Sequence, residues 1–430
     1  MAGPAVIDTA RRVARDGTGV MLAGTVVAGV ATYAWQVAGT RVLGEVEFAP
    51  VATVWTLMFL MITVLLAPVE QFAIRTVAAE GGGRSRLTAA LPTLVGLAAA
   101  AAVVVASLTW ALRGSLFAGN AAYVPVCVAL LLAFGQLALI RGVVAGQRDF
   151  AAYGWITGLD SCLRLLIGVP LLLAGGSALA LAWTVPVCPL VALAWARRPP
   201  TPPGAVGDAA AAPASLTRFI AHTVGGTIPS QIILAAGPLL VAVLSRDQAT
   251  VTTLFVTQTA FRAVFLLATP GWSRALPTLT RIAMGPDASR LGHVSRLVMV
   301  ATLVVAGVGG AAAAVGAPPL IALLFGAGVR PSSIVAGLTM AATLGAVGNL
   351  GLNTVLVAGA RTASITVVWW MALIAAAVLV AVVPGEPSLR VVVAFAGGEF
   401  VALVGLGLAA SGSRPSAGAA PLVVTGPSLP

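Results

Sequence analysis

Apolar positions in this chain come in long unbroken blocks. Leu87–Leu112 is 26 residues without a charge, Leu297–Val329 is 33, and Pro331–Ala360 is 30. A helix needs roughly 20 predominantly apolar residues to cross a hydrocarbon core. Within a bilayer the backbone polar groups can pair only with each other, so blocks of this length read as spanning helices. The period-two alternation of an outer-membrane barrel is absent. The blocks predict twelve spans, at about 18–40, 49–72, 88–111, 121–143, 151–174, 178–196, 217–244, 250–272, 297–325, 331–357, 362–383 and 390–411. The expected fold class is an all-α polytopic membrane protein. Several spans hold an internal proline (Pro170, Pro186, Pro229, Pro238), which membrane helices tolerate where neighbours satisfy the freed backbone groups. The first apolar run lacks a small-residue cleavage site and reads as a span, not a signal peptide.

The pattern repeats itself. Leu116-Phe117-Ala118-Gly119 precedes the fourth block, and Leu324-Phe325-Gly326-Ala327-Gly328 precedes the tenth. Each leads through a loop into an apolar helix with a central glycine (Gly135, Gly345). Each helix then ends on VAGQR (144–148) or VAGAR (357–361). The offsets are 208, 210 and 213 residues. A six-helix unit therefore occurs twice. Six is even, so both copies enter the membrane from the same side and relate by a pseudo-two-fold axis along its normal. The expected organisation is an N-terminal six-helix lobe (1–196), a cytoplasmic Pro/Ala-rich linker (197–216), a C-terminal six-helix lobe (217–411) and a disordered cytoplasmic tail (412–430). Two lobes joined by a loose strap suit a transporter with its substrate between them.

Composition narrows the chemistry. Only 9% of residues are charged, against about 25% in soluble domains. The net charge is +11, and all of the basic residues are arginine. Without lysine the chain has no P-loop or Schiff-base lysine, so it does not hydrolyse ATP by the P-loop route. With the N-terminus inside, 17 arginines fall on the cytoplasmic side and 5 on the outer side, while Arg164 and Arg262 lie within spans. The basic excess reads as a skirt facing anionic membrane lipids, not as a nucleic-acid surface. Cys127, Cys162 and Cys188 lie in apolar spans without metal spacing, and no cofactor is expected. Apart from the linker and tail the loops are short, which argues against an enzyme.

Charged residues inside spans are costly and mark function or internal pairing. Arg262 sits mid-span with Gln258 one turn before it and no acid nearby. It is either the partner of an acid on another helix or a cation facing a wet cavity. Asp160 and Arg164 are four apart and can pair, with a substrate contact by Arg164 the lesser reading. Glu399 is mid-span after Gly397 and Gly398, and is either a proton site or the partner of a distant arginine. Glu70 and Gln71 end the second span just before Arg75, where Glu70 reads as an interfacial, snorkelling group. Asn349 and Asn353, one turn apart, read as helix–helix glue before sugar contacts, as do Gln136, Gln231 and His222.

Three segments resemble polysaccharide flippases. APVATVWTLMFLMITVLLAPVEQFAIRTVAAE is similar to their second span with its Glu-Gln and Arg, and GVVAGQRDFAAYGWITGLDSCLRLLIG to their fourth-to-fifth helix turn. PLIALLFGAGVRPSSIVAGLTMAATLG is similar to their ninth-to-tenth helix region. The resemblance implies the Wzx-like branch of the multidrug/oligosaccharidyl-lipid/polysaccharide (MOP) exporter superfamily. It implies flipping of a lipid-linked, polyprenyl-diphosphate oligosaccharide across the bacterial inner membrane, through a cationic cavity and alongside polysaccharide assembly enzymes. Arg262, Arg41, Arg75 and Arg164 would be the cavity contacts. A drug/cation antiporter of the same superfamily is the first alternative. The missing carboxylates in the first, seventh and tenth spans weigh against it. Peptidoglycan-precursor flippases of the superfamily carry two further helices. A major-facilitator carrier should show an acidic Asp-Arg-type motif after the second span, where AAEGGGRSRL has no Asp.

Overall fold

A computed structural model describes residues 17–81, 83–196, 228–245, 247–284 and 290–411. Among them every regular element is helical. In chain order they are α1 (Thr18–Glu47), α2 (Ala49–Ala79), α3 (Ser85–Ala111), α4 (Tyr123–Gly146), α5 (Phe150–Leu173) and α6 (Ala178–Ala196), then α7, broken into Ile228–Ala235 and Gly237–Ser245. There follow α8 (Gln248–Met284), α9 (Arg290–Phe325), α10 (Ser333–Ala358), α11 (Thr362–Val382) and α12 (Pro387–Ser411). Eleven of these are long and apolar enough to cross a membrane, and α7, bent by 61° at its break, makes a twelfth. The linker read at 197–216, the start of the seventh span, His222 and the tail from 412 lie outside the described residues.

Several helices outrun the spans read from sequence. α1 continues to Glu47, α2 to Ala79 and α8 to Met284, while α9 begins at Arg290. Apolar blocks end at the first charge, but an arginine can lay its stem along the helix and reach water with its head. Two prolines shape the interior. In α2 a π-helical stretch, Met61–Leu66, precedes Pro68. In α7, Pro238 has no N–H for the carbonyl of Leu234, and the helix breaks there.

The two matched helices end in the same backbone turn. After α4, N–H groups of Gln147, Arg148 and Asp149 donate to the carbonyls of Val143, Ala145 and Val144. After α10, those of Gly359, Ala360 and Arg361 donate to Val355, Val357 and Leu356. These are the same helix-ending Schellman bonds, with the left-handed position filled by Arg148 (φ 61°) and Ala360 (φ 55°). The structural register is therefore 212, one residue off the 213 of the VAGQR/VAGAR match. Phe117 and Phe325, 208 apart, are both buried before the paired helices begin.

Small residues let backbones touch. A Cβ on Gly154 of α5 would lie 2.5 Å from the Val20 carbonyl of α1, and a Cβ on either Gly310 of α9 or Gly337 of α10 would lie 3.0 Å from the other's carbonyl.

The apolar core is partitioned in a way that bears on function. At the arginine-poor ends one cluster fuses both halves: Trp35, Phe48, Val51 and Phe117 pack with Val251, Phe255, Ile321 and Phe325. At the arginine-rich ends the halves keep separate cores. Phe72, Ala73, Val77 and Leu87 form one. Leu279, Leu291, Val355 and Leu406 belong to the other. The Ala67–Ala79 part of α2 packs chiefly on α4 and α3, within its own half. Among the described residues the halves share one core at the arginine-poor face and keep separate cores toward the arginine-rich face.

Candidate functional site

The closed end of this division is roofed by α2 and α8. Arg262 lies 14 residues into α8, about 21 Å along the helix at 1.5 Å per residue. It is just beyond Phe255 and Phe261, which belong to the fused core. Its side chain is 8% exposed, and the guanidinium carbon sits 4.1 Å from the ring centre of Phe59 on α2. Among the described residues no carboxylate pairs with it.

The neighbouring positions of α8 are also polar and unsatisfied. Gln258, one turn before Arg262, is buried, and neither its amide nitrogen nor its oxygen has a hydrogen-bond partner. The hydroxyl of Thr259 is likewise buried and unpartnered. Gln258 rests against Gly237 at the break of α7, where a Cβ would collide with its amide. Tyr33 of α1 donates through Oη to the carbonyl of Thr259 at 2.5 Å and ties α1 to this strip. An unmade buried hydrogen bond costs about 1–3 kcal/mol. Two such side chains, Gln258 and Thr259, beside a cation with no carboxylate partner among the described residues make a strip that can offer donors, acceptors and positive charge to a ligand.

Arg164 lies on the next aromatic rung. Its guanidinium carbon is 5.1 Å from the ring of Trp55, one turn before Phe59 on α2. Its Nη2 donates to both oxygens of Asp160, at 2.9 and 2.8 Å. The pair read at i,i+4 is formed, and it neutralises Arg164, so the excess positive charge of the site belongs to Arg262.

The structure places the other expected contacts elsewhere. Arg75 is exposed at the arginine-rich end of α2, 16 residues beyond Phe59 and so about 24 Å along the helix. It cannot share one phosphate with Arg262. Arg41 faces away from the strip. Its Nε donates to the carbonyl of Leu324 at 2.7 Å and its Nη2 to that of Leu323, at the C-terminus of α9. Glu70 is no snorkelling bystander. It accepts from Tyr153 Oη at 3.0 Å and pairs with Arg141 at 3.4 Å, while Arg141 donates to Tyr153 and lies over its ring.

Glu399 is 1% exposed, with no cationic partner among the described residues. Asn349 Nδ2 donates to its Oε2 at 2.8 Å and to its backbone carbonyl at 2.9 Å. Its Oε1 and the Oδ1 of Asn349 are buried and unpartnered. Asn353 accepts from Trp369 at 3.4 Å, and Gln136 donates to the Pro189 carbonyl at 2.8 Å, so both join helices. Cys127 and Cys188 are buried free thiols. Sequence reasoning missed Phe59, Tyr33 and Arg141, whose roles depend on partners from other helices.

Compared by sequence, the chain matches no protein-family profile and no curated protein. Compared by structure, it is similar to solved transporters over nearly its whole length. A multidrug resistance MATE family transporter of the MOP superfamily in its inward-facing conformation aligns at 14% identity and TM-score 0.58, covering 90% of this chain and 93% of that one. An outward-facing conformation of a multidrug resistance MATE family transporter gives 15% identity and TM-score 0.54, covering 92% of this chain and 95% of that one. The lipid II flippase MurJ, inward closed, aligns at 11% identity and 0.57, covering 90% and 87%. At such identities the likeness speaks to architecture alone: this chain shares the helical fold of those solved transporters.

Proposed function

We propose that the chain is an alternating-access transporter that flips a lipid-linked oligosaccharide, carried on a polyprenyl diphosphate, across the bacterial inner membrane for polysaccharide export. The arginine-rich face is then cytoplasmic. The carrying observation is Arg262: a buried guanidinium with no carboxylate partner among the described residues, at the closed end of a division between the halves. A guanidinium is permanently charged and can grip two phosphate oxygens in a planar fork. Gln258 and Thr259 supply neutral partners for sugar hydroxyls or remaining phosphate oxygens. The prenyl tail stays in lipid while the head enters between the halves. Closing the cytoplasmic side and opening the other would then release it outward.

A second reading, a cation-coupled drug antiporter, is favoured by one observation: Glu399, buried beside Asn349 with no cationic partner among the described residues. In that reading Glu399 takes up the coupling proton or sodium ion.

The two are separated in cells lacking the gene. Under the flippase reading, polyprenyl-diphosphate glycan accumulates on the cytoplasmic face and is cleared by the wild type but not by Arg262→Ala. Unchanged glycan lipids together with altered sensitivity to cationic drugs would overturn it in favour of the antiporter.

A further inference from the structure

Beside the fused apolar core, a small set of polar contacts that the substrate site does not use joins the halves at the arginine-poor face. All centre on the end of α1. Arg41 grips the final carbonyls of α9 through Leu323 and Leu324. These carbonyls have no intrahelical donors, and they carry the negative end of the helix dipole. Four residues on, the backbone carbonyl of Glu45 accepts from Thr252 Oγ1 of α8 at 2.6 Å. The Glu45 carboxylate lies against Gly328, where a Cβ would come within 3.2 Å of Oε1 and closer still to Oε2. One end of one N-half helix thus holds two helices and a loop of the C-half.

Between Arg41 and Glu45 the helix is interrupted. Gly44 has φ 76° and ψ 175°, a conformation essentially reserved for glycine. A Cβ there would meet nothing within 4 Å, so the glycine is required by the backbone and not by crowding. The other end of α1 stays with its own half, packed on α5 through Gly24 and Gly154. A cavity of about 280 Å³ lined by Glu45, Thr250, Thr253, Arg330 and Glu386 borders these contacts and is wide enough for water to replace them.

We infer that the segment Arg41–Glu45 is the latch of the arginine-poor face. Arg41 is its hook on α9, and the bend at Gly44 sets the shape in which it engages. Opening this face requires the hook to leave the α9 carbonyls. This goes beyond the transport reading, because the latch would act whatever is carried.

The test reads conformation and not transport, so it stands or falls separately from the substrate. Gly114 is exposed on the N-half with open space around its Cβ position, and Ser333 is exposed at the start of α10. Spin labels on Gly114→Cys and Ser333→Cys, with the three native cysteines replaced by alanine, report the separation of the halves at this face. The full chain should give a predominantly short distance. Arg41→Gln should raise the long-distance population about twofold to fivefold, the size expected for losing a solvent-screened contact of an exposed arginine. Thr252→Val, nearly isosteric, should move it the same way by less. Gly44→Ala should also favour the long distance, because alanine resists the closed bend. If Arg41→Gln does not fold, Thr252→Val and Gly44→Ala carry the test. A distribution unchanged from that of the full chain in every folded variant would overturn the latch.

Discussion

Arg262 is a liability to the fold, and its removal should therefore stabilise the protein. A charged side chain at mid-membrane costs about 2.5–3.5 kcal/mol on insertion scales. The face of Phe59, 4.1 Å from the guanidinium carbon, returns about 0.5–2 kcal/mol. No carboxylate among the described residues offsets the remainder. Arg262→Met keeps an unbranched chain of similar reach and removes the charge. From these terms it should stabilise the detergent-solubilised protein by about 0.5–3 kcal/mol, an upward melting shift of a few degrees. The wild type should be raised further by a short prenyl diphosphate such as farnesyl diphosphate, by about 2.7 kcal/mol at a hundredfold excess over Kd. The methionine variant should not respond. A structural arginine behaves in the opposite way. Breaking a buried ion pair costs about 3–5 kcal/mol. A large fall in melting temperature for Arg262→Met, with no prenyl-diphosphate response in the wild type, would refute the reasoning.

Other substitutions probe the surrounding contacts. Asp160→Asn strands the buried Arg164 and should cost about 3–5 kcal/mol, while the double variant Asp160→Leu with Arg164→Met should recover most of it in the same melting assay. Glu70→Gln and Tyr153→Phe touch one network with Arg141, so their effects on stability should be non-additive by about 0.5–3 kcal/mol in a double-mutant cycle. Gly154→Ala wedges α5 off the α1 backbone and should lower stability by about 1–3 kcal/mol. Glu399→Gln keeps an oxygen for Asn349 and should fold normally, while transport in vesicles loses any dependence on a proton or sodium gradient that the wild type shows.

How much of this was legible in the sequence follows from where each signal lies. Twelve spans could be read because a bilayer demands long apolar blocks, and the Asp160–Arg164 pair because one helical turn brings its members together. The repeat was visible in VAGQR and VAGAR, yet its register was one residue off. The Schellman turn fixes backbone position, not residue identity, and places Arg148 opposite Ala360. Arg41 was misplaced because a sequence does not say which helix end an arginine meets. Glu70 looked interfacial because its partners, Arg141 and Tyr153, come from two other helices. The isolation of Arg262 could be suspected from its own helix, but its seat over Phe59 needed the packing of α8 on α2.

The central claim is that Arg262 receives a diphosphate head group between the halves. Its most direct test is flipping in proteoliposomes, with a fluorescent polyprenyl-diphosphate lipid whose exposed fraction is quenched from outside. The account predicts that the purified wild-type chain brings inner-leaflet label to the quencher and that Arg262→Met, folded and reconstituted equally well, does not. Equal movement by both proteins, or none by the wild type, would contradict it.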